Sequence, residues 1–230
     1  MPGPEPLDQL GQKRVAAQRA CQEIVDGMLV GLGTGSTAEI AVRCLAQRVQ
    51  TGLRITGVAT SEATARLARG LGIPLTTLDQ EWDLDIDIDG ADEVDPRGNL
   101  VKGLGGALLR EKIVARAAKR LIIAVDEGKQ VTRLGERAPI PVEVVRFGWR
   151  RTAEALRQLG GEPALRGGEM NPFVTDGGNL LLDCRFAGPW EPSILAARCK
   201  GLVGVVEHGL FVDMRPTVVV GQADGRVTMR

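Results

Sequence analysis

One acid-rich stretch, DIDIDGADEVDP at residues 85–96, has residue types that can do chemistry, since six of its twelve residues are Asp or Glu. Acids at alternate positions followed by a glycine are typical of the start of an EF-hand calcium loop. Such a loop needs a Glu at its twelfth position, where this stretch has Pro96, and the residues before Asp85 predict a strand and not a helix. The stretch is therefore interpreted as a solvated turn or as a set of catalytic carboxylates.

A glycine-rich loop, VGLGTGST at residues 30–37, follows an apolar run and leads into a helical pattern. Glycines allow close backbone approach to an anion, and a helix N-terminus offers free N–H groups. A dinucleotide loop would need a third glycine where Ser36 stands, and a Walker loop would need a lysine. The loop is thus expected to bind a single phosphate, and the alternative is a tight turn capped by Ser36 or Thr37. The candidate contacts are Thr34, Gly35, Ser36 and Thr37.

A second glycine-rich loop, KGLGGALLREK at residues 102–112, begins with Lys102 and leads into another helical pattern. A helical projection places Glu111 on the margin of an apolar stripe. The predicted stripe consists of Ile113, Val114, Ala117 and Ala118. A partly desolvated carboxylate is a stronger base, so Glu111 is a candidate general base. The alternative is a surface glutamate that pairs with Arg110 or Lys112.

The composition excludes several classes of protein. The chain has 230 residues, long enough for a substantial core, and 29 acidic residues balance 29 basic ones, which argues against a nucleic-acid partner. No apolar segment has the length of a membrane span, and the first residues lack the apolar core of a signal peptide, so a cytoplasmic protein is expected. The four cysteines are scattered along the sequence, which predicts reduced and mostly buried thiols. The single histidine, His208, is expected to be a packed or surface residue and not a catalytic one. This set does not provide transition-metal ligands.

The first 130 residues alternate between strand and helix patterns. The predicted helices are 8–26, 36–49, 61–72 and 105–119, and the predicted strands are 28–33, 53–59, 73–78, 84–88 and 121–126. This alternation is typical of a parallel sheet covered by helices, in which sites lie beyond the carboxyl ends of the strands. Asp89, Asp92, Lys102, Glu111 and Lys129 would then meet the first glycine loop at one edge.

The second part of the chain has a different order. Strands are predicted at 139–145, near 164–166, at 179–186 and at 203–207, with helices at 150–159 and 191–200 and a final hairpin at 216–229. The order is that of a split βαβ, or ferredoxin-like, domain. The predicted fold is therefore α/β: a Rossmann-like parallel-sheet domain (1–134 and 208–230) with an inserted ferredoxin-like α+β domain (135–207).

Motifs in register along nearly the whole chain make it similar to one family, the A-type ribose-5-phosphate isomerases. They are GLGTGST (31–37), TSEAT (60–64), DGADEVD (89–95), KGLGGALLREK (102–112), DEGK (126–129), PVEV (141–144) and TDGGN (175–179). The resemblance implies the interconversion of D-ribose 5-phosphate and D-ribulose 5-phosphate in the non-oxidative pentose phosphate pathway. It also implies no metal, no organic cofactor and a homo-oligomer, either a dimer or a tetramer.

The resemblance also implies roles for single residues. Glu111 would carry a proton between C2 and C1, and Lys102 with the N–H groups of residues 103–105 would face the developing oxyanion. Asp89 and Asp92 would bind sugar hydroxyls, and residues 34–37 with Lys129 would hold the phosphate. The complete candidate binding set is Thr34, Gly35, Ser36, Thr37, Asp89, Gly90, Ala91, Asp92, Lys102, Gly103, Leu104, Gly105 and Lys129.

Neighbouring polar residues are expected to have structural roles. Asp85 and Asp87 should solvate or cap the strand end, Ser61 should be a helix N-cap, and Lys13 should lie on a solvated helix face. Three other functions compete with the isomerase. They are a non-catalytic sugar-phosphate-binding sensor domain, an NAD-dependent oxidoreductase and a coenzyme A transferase.

Overall fold

The computed structural model of the chain describes residues 6–81 and 83–230. Its α-helices are α1 (Gln9–Cys21), α2 (Ser36–Gln50), α3 (Glu62–Gly70), α4 (Leu108–Ala117), α5 (Trp149–Gln158) and α6 (Pro192–Lys200). Its strands are β1 (Leu29–Leu32), β2 (Thr56–Ala59), β3 (Ile86–Asp89), β4 (Glu93–Val94), β5 (Leu100–Val101), β6 (Leu121–Asp126), β7 (Ile140–Val144), β8 (Gly161–Leu165), β9 (Leu180–Phe186), β10 (Val205–His208), β11 (Leu210–Phe211), β12 (Thr217–Gly221) and β13 (Val227–Met229). Among the residues described, no helix combines the length and the apolarity that crossing a bilayer requires.

The chain forms two compact units. The first unit comprises Met1–Ala91, Arg110–Gln130 and Met214–Arg230, and the second comprises Asp92–Leu109 and Val131–Asp213. The bounds expected from the sequence for the inserted domain, 135–207, differ from those of the second unit and stay a prediction.

The first unit contains a six-stranded sheet in the order β13-β12-β6-β3-β1-β2. Neighbours from β12 to β2 are parallel, and only β13 pairs antiparallel. All six residues of β6, LIIAVD, are buried, as expected for a parallel strand covered on both faces. The core includes Ala16, Ala20, Val42 and Leu45 of α1 and α2. The Rossmann-like α/β prediction is confirmed, as is the final hairpin, whose first strand β12 pairs with β6.

Three predicted elements of this part of the chain differ in the structure. Residues 73–78 do not form a strand, since only one bridge joins Leu75 to Gly57 and Pro74 has no N–H to continue a ladder. Helix α1 ends at Cys21 and not at residue 26, because the chain turns to bury Ile24 in the core. Helix α4 begins at Leu108 and not at residue 105, because Gly103–Gly106 form a turn in which the Gly106 N–H donates to the Gly103 carbonyl.

The second unit contains a four-stranded antiparallel sheet in the order β10-β7-β9-β8. The chain order β7–α5–β8–β9–α6–β10 is the predicted split βαβ arrangement. Its core contains Val142, Leu156, Leu182 and Leu195, which come from both helices and from the two central strands. His208 on β10 is buried, and the four thiols are free, three of them buried, as the sequence predicted.

A small three-stranded sheet, β11-β5-β4, also belongs to the second unit and was not predicted. Its pairs are antiparallel and only two residues long. The buried Glu93 fixes this sheet, because its carboxylate accepts hydrogen bonds from the N–H groups of Gly135, Arg137 and Ala138 at 2.5–2.7 Å. The hairpin β4–β5 carries Asp92 just before its first strand and Lys102 just after its second.

Candidate active site

The carboxyl edge of the parallel sheet in the first unit carries most of the candidate residues. Strands β1, β2, β3 and β6 run in the same direction and end at Leu32, Ala59, Asp89 and Asp126. The chain continues from these ends into the glycine loop, the Ser61 cap, Gly90 and the 3₁₀ helix Glu127–Lys129. The topology thus brings together residues that are distant in sequence, at the edge where α/β sheets bind ligands.

Asp89 is held directly beneath the glycine loop. It is 1% exposed, and its Oδ1 accepts hydrogen bonds from the N–H of Thr34 at 3.2 Å and of Gly90 at 2.7 Å. A Cβ atom on Gly33 would lie 2.1 Å from this same oxygen. The glycine at position 33 therefore makes room for the carboxylate, and the carboxylate in turn fixes the loop.

The N-terminus of α2 has no side-chain cap. Its N-cap is Gly35, with φ of 111°, and no side chain accepts a hydrogen bond from the first turn. The alternative of a turn capped by Ser36 or Thr37 is therefore wrong. Lys13 is half-buried, and its Nζ donates to Ser36 Oγ at 3.1 Å in an exposed contact. Uncapped N–H groups, a helix dipole and a lysine favour an anion at this end of the helix.

Four hydroxyl groups meet beside the loop. Thr34 Oγ1 lies 2.7 Å from Thr60 Oγ1, 2.9 Å from Ser61 Oγ and 3.1 Å from Thr64 Oγ1. Ser61 is the N-cap of α3 and accepts from the N–H of Thr64 at 3.0 Å, as predicted. The contribution of Thr60 and Thr64 was missed, although both lie within the TSEAT motif. The cluster fixes the rotamer of Thr34 and so the shape of the loop.

Glu111 is buried, with 2% of its surface exposed. It lies on α4 one turn before Val114. The side chain of Val114 packs against Gly31, because a Cβ on Gly31 would lie 2.6 Å from it. Helix α4 is followed after three residues by β6, so its first turn lies toward the carboxyl edge of the sheet. The side chain of Glu111 is therefore a desolvated carboxylate near that edge.

Two expectations about α4 are wrong. Glu111 is not a surface residue, because it is 2% exposed, and Arg110 forms an ion pair with Glu62 at 2.9 Å. Ile113, predicted in the apolar stripe, is 48% exposed, whereas Ala115 is buried. The buried face of the helix therefore carries Glu111, Val114 and Ala115.

The two aspartates before Asp89 have different environments. Asp85 fits the expected role at the strand end, because its carboxylate accepts from the Leu29 N–H at 3.0 Å and pairs with Lys119 at 3.0 Å. Those two contacts lower the pKa of Asp85 below its ordinary value. Asp87 contradicts the expectation, because it is 0% exposed and fills the space above Gly31. It is an acidic residue of the buried sheet face that sequence reasoning assigned to solvent.

The remaining candidates of the first unit lie at the same edge of its sheet. Gly90 lies close to Thr37, since a Cβ on Gly90 would be 3.6 Å from the Cβ of Thr37. Ala91 is half-buried. Lys129 is half-buried at the end of the 3₁₀ helix that directly follows β6. The Glu127 N–H of this short helix donates to Gln12 Oε1 at 3.3 Å, which ties it to α1.

The second unit holds the other candidates on its small sheet. The Asp92 N–H donates to the Val101 carbonyl, and the Lys102 N–H donates to the Gly209 carbonyl. Lys102 is 3% exposed, and its ammonium lies 5.6 Å from the ring centre of Phe211. Asp92 Oδ2 accepts from the Leu104 N–H at 2.9 Å, so the carboxylate and the 103–105 loop are joined.

The conformation of this loop depends on its glycines. Gly103 has φ of 100° and Gly106 has φ of 87°, values that side chains disfavour. The side chain of Leu104 is exposed, as is required if the neighbouring N–H groups are to face a ligand. Within residues 6–81 and 83–230, no group of His, Cys, Asp and Glu side chains has an arrangement suited to a metal ion.

The fold and these residues define an α/β protein with a glycine loop at an uncapped helix N-terminus and buried carboxylates at the carboxyl edge of a parallel sheet. Residues 56–225 match the family model of ribose 5-phosphate isomerase A (phosphoriboisomerase A). The chain is 53% identical over 220 residues to ribose-5-phosphate isomerase A of Roseiflexus castenholzii, covering 94% of each protein.

Solved structures give the same result. A D-ribose-5-phosphate isomerase in complex with phospho-erythronic acid superimposes with a TM-score of 0.93 and 37% identity, covering 97% of this chain and 100% of the other. The enzyme from Plasmodium falciparum gives a TM-score of 0.92 and 37% identity, covering 97% and 98%. The chain belongs to the ribose-5-phosphate isomerase A family. The resemblance seen in the sequence motifs is thereby confirmed.

Proposed function

We propose that this chain interconverts D-ribose 5-phosphate and D-ribulose 5-phosphate by proton transfer through an enediolate, with Glu111 as the base. Membership of the isomerase family over nearly the full chain supports the reaction. The observation that carries the residue assignment is the burial of Glu111 at the carboxyl edge of the parallel sheet. A non-catalytic sensor is not favoured, because sugar-phosphate binding alone needs no desolvated carboxylate beside the ligand.

The phosphate end of the substrate is assigned to the first glycine loop. The N–H groups and hydroxyls of Thr34, Gly35, Ser36 and Thr37 surround an uncapped helix N-terminus. Lys129 and Lys13 supply positive charge, and Lys13 is already bonded to Ser36. Tight binding of this unreactive group orients the reacting carbons and lowers the entropic part of the barrier.

The chemical step needs one base and donors for one developing charge. Glu111 takes the proton from C2 of the open-chain aldose, and the electrons of that bond form a C1–C2 double bond with negative charge on O1. The proton then returns to C1 while O2 becomes the ketone oxygen and its hydroxyl proton passes to O1. A well-placed base contributes about 10²–10⁴-fold to the rate.

Stabilisation of the enediolate oxygen is assigned to the Lys102 ammonium and the N–H groups of the Gly103, Leu104 and Gly105 loop. In comparable oxyanion sites the loss of one donor costs about 10²–10³-fold in kcat. Asp89 and Asp92 are assigned to the sugar hydroxyls, with Gly90 and Ala91 between them, and Asp89 also to ring opening. These roles rest on the sequence motifs and on the burial of Asp89 and Lys102.

Phospho-erythronic acid, the compound bound in one of the related structures, provides a probe of this mechanism. Its planar carboxylate resembles the C1–C2 part of an enediolate, and its phosphate is retained. We expect it to inhibit this chain competitively with ribose 5-phosphate.

The experiment is an assay of the purified protein with ribose 5-phosphate in heavy water that contains a chelator. The expected result is ribulose 5-phosphate that carries deuterium at C1, at a rate unaffected by the chelator. Glu111→Gln should lower turnover by about 10²–10⁴-fold while binding of phospho-erythronic acid stays within a few-fold. The matched control is Glu154→Gln, which removes only an exposed ion pair with Arg157. Turnover by Glu111→Gln within a few-fold of the unmodified protein would contradict the assignment of the base.

The working state of the protein belongs to the same proposal. We expect a homo-oligomer, a dimer or a tetramer, that acts in the cytoplasm in the non-oxidative pentose phosphate pathway. Light scattering of the purified protein measures its mass, and a monomer at micromolar concentration would contradict the expected assembly.

A further inference from the structure

The carbonyl side of the second glycine loop is bound by Arg166, which directly follows strand β8 of the four-stranded sheet. Nη1 of Arg166 donates to the carbonyl oxygens of Gly103 at 3.1 Å and Leu104 at 2.9 Å. The other edge of the same guanidinium forms a bidentate pair with Asp183, with Nε at 2.9 Å and Nη2 at 2.5 Å from its two carboxylate oxygens. One planar group therefore links the loop to strand β9.

The position of this guanidinium is fixed by its surroundings. The Arg166 N–H donates to the Leu181 carbonyl, and the Arg166 carbonyl accepts from the Phe173 N–H. The ring of Phe173 lies 5.7 Å from the guanidinium carbon and also covers Gly106, where a Cβ would lie 2.4 Å from the ring. The side chains of Arg166 and Asp183 are 16% and 23% exposed, so the bidentate pair is partly shielded from solvent.

The direction of the carbonyls determines the direction of the N–H groups. In a planar trans peptide the N–H points opposite to the C=O. Because Arg166 binds the Gly103 and Leu104 carbonyls from one side, the N–H groups of Leu104 and Gly105 must point to the other. The Leu104 N–H does so, since it donates to Asp92 Oδ2 at 2.9 Å. The Gly105 N–H is consequently directed to the same side as Asp92.

We infer that Arg166, held by Asp183, is a positioning residue that aims the N–H groups of Leu104 and Gly105 at the substrate side of the loop. This inference rests on the proposed function, because it gives the Gly105 N–H the enediolate oxygen as its target, while the Leu104 N–H holds Asp92 on the same side of the loop. Gly103 alone would not hold the orientation, since a glycine has no Cβ and its backbone has many accessible conformations. Arg166 adds to the turn bond from the Gly106 N–H, which also holds the Gly103 carbonyl, and it binds the Leu104 carbonyl as well.

The expected effect is on the transition state more than on the substrate. A donor that is displaced and not removed loses part of its contribution, so kcat should fall about 10- to 100-fold while KM stays within about threefold. Arg166→Lys keeps the charge but cannot bind two carbonyls and a carboxylate with one planar group. Arg166→Lys, Arg166→Ala and Asp183→Asn should therefore all show this pattern.

The test compares these variants with Arg150→Ala, which removes an exposed pair with Glu169 on the same unit and touches no loop carbonyl. Thermal unfolding first selects variants that retain a cooperative transition. For each, kcat, KM and the inhibition constant of phospho-erythronic acid are measured, and methylguanidinium is added to Arg166→Ala. Loss of affinity for phospho-erythronic acid in proportion to kcat/KM, and recovery of kcat by methylguanidinium, support the inference.

The outcomes separate this inference from the proposed function. Folded Arg166→Lys and Asp183→Asn proteins with kcat within twofold of the unmodified protein would overturn the positioning role and leave the isomerase assignment intact. A rise in KM with unchanged kcat would overturn it also, because it would indicate simple substrate anchoring. Absence of turnover in the unmodified protein would refute the proposed function itself.

Discussion

Asp89 packs directly against the backbone of Gly33, so that residue 33 has no room for a side chain. A Cβ on Gly33 would lie 2.1 Å from Asp89 Oδ1 and 2.7 Å from Asp89 Cα. Because the second contact is to backbone, rotation of the Asp89 side chain cannot relieve it. The glycine loop and the carboxylate at the end of β3 are thus built as a pair.

The first prediction concerns this pair. Gly33→Ala should destabilise the fold by about 1–3 kcal/mol through overpacking. It should also lower kcat/KM at least tenfold, because Asp89 and the Thr34 N–H are displaced together. Urea unfolding and the isomerase assay measure the two effects. Gly70→Ala on α3 is the control, since a Cβ there meets nothing within 4 Å. Equal behaviour of the two variants would show that the loop can move aside.

The second prediction concerns the hydroxyl cluster around Thr34. Thr34→Val removes the Oγ1 that contacts three other hydroxyls, whereas Thr34→Ser keeps it. We expect Thr34→Val to raise the KM for ribose 5-phosphate about tenfold, because the phosphate loop loses its fixed shape, while Thr34→Ser stays within about threefold. Steady-state kinetics decide between them. If both variants raise KM equally, the hydroxyl group is irrelevant.

The third prediction concerns Glu93, whose buried carboxylate accepts three backbone N–H groups. In Glu93→Gln one acceptor oxygen is replaced by a donor that faces N–H groups, so about 2–4 kcal/mol of stability should be lost. The control is Glu136→Gln in the same loop, whose exposed carboxylate accepts only the Thr132 N–H. Urea denaturation measures both. A loss below about 0.5 kcal/mol for Glu93→Gln would mean that the loop relaxes around the amide.

The fourth prediction is a pH dependence. The Leu29 N–H and Lys119 lower the folded-state pKa of Asp85. The carboxylate therefore stabilises the fold above its unfolded-state pKa of about 3.9, and this stability is lost as the pH falls through the lower folded value. Because the pair with Lys119 is partly exposed, the contribution should be at most about 1 kcal/mol.

Measurements of the free energy of unfolding at several pH values test this contribution of Asp85. Above about pH 4 the unmodified protein should be more stable than Asp85→Asn, and the difference should shrink at lower pH. Lys119→Met should show a smaller effect of the same sign. A difference that is constant from pH 6 to pH 3 would contradict the ionic origin.

Sequence patterns predicted the layers of this protein because long elements leave periodic signals. The apolar run of β6 and the alternation of helix and strand specify a covered parallel sheet, and the order of the later elements specifies the split βαβ unit. Ser61 was recognisable as an N-cap because capping is a local property. The candidate site followed from placing motifs at strand ends, and its residue roles stay proposals.

Other features could not be predicted, for identifiable physical reasons. The alternating acids in DIDID imitate a half-exposed strand, yet β3 is covered on both faces and buries Asp87. Strands β4, β5 and β11 have two residues each, too few for any periodicity. The contact of Arg166 with Gly103 joins residues 63 positions apart, and no local pattern encodes it.

The last residues of the chain have a consequence for biosynthesis. Strand β12 adds to the exposed side of β6, and β13 then covers β12, so two of the six strands of the sheet come from the final segment. A nascent chain that has already emerged through β6 still presents an unpaired strand edge, of the kind that promotes aggregation. That edge can close only after β12 and β13 have been synthesised, although the first strands of the same sheet are made earliest.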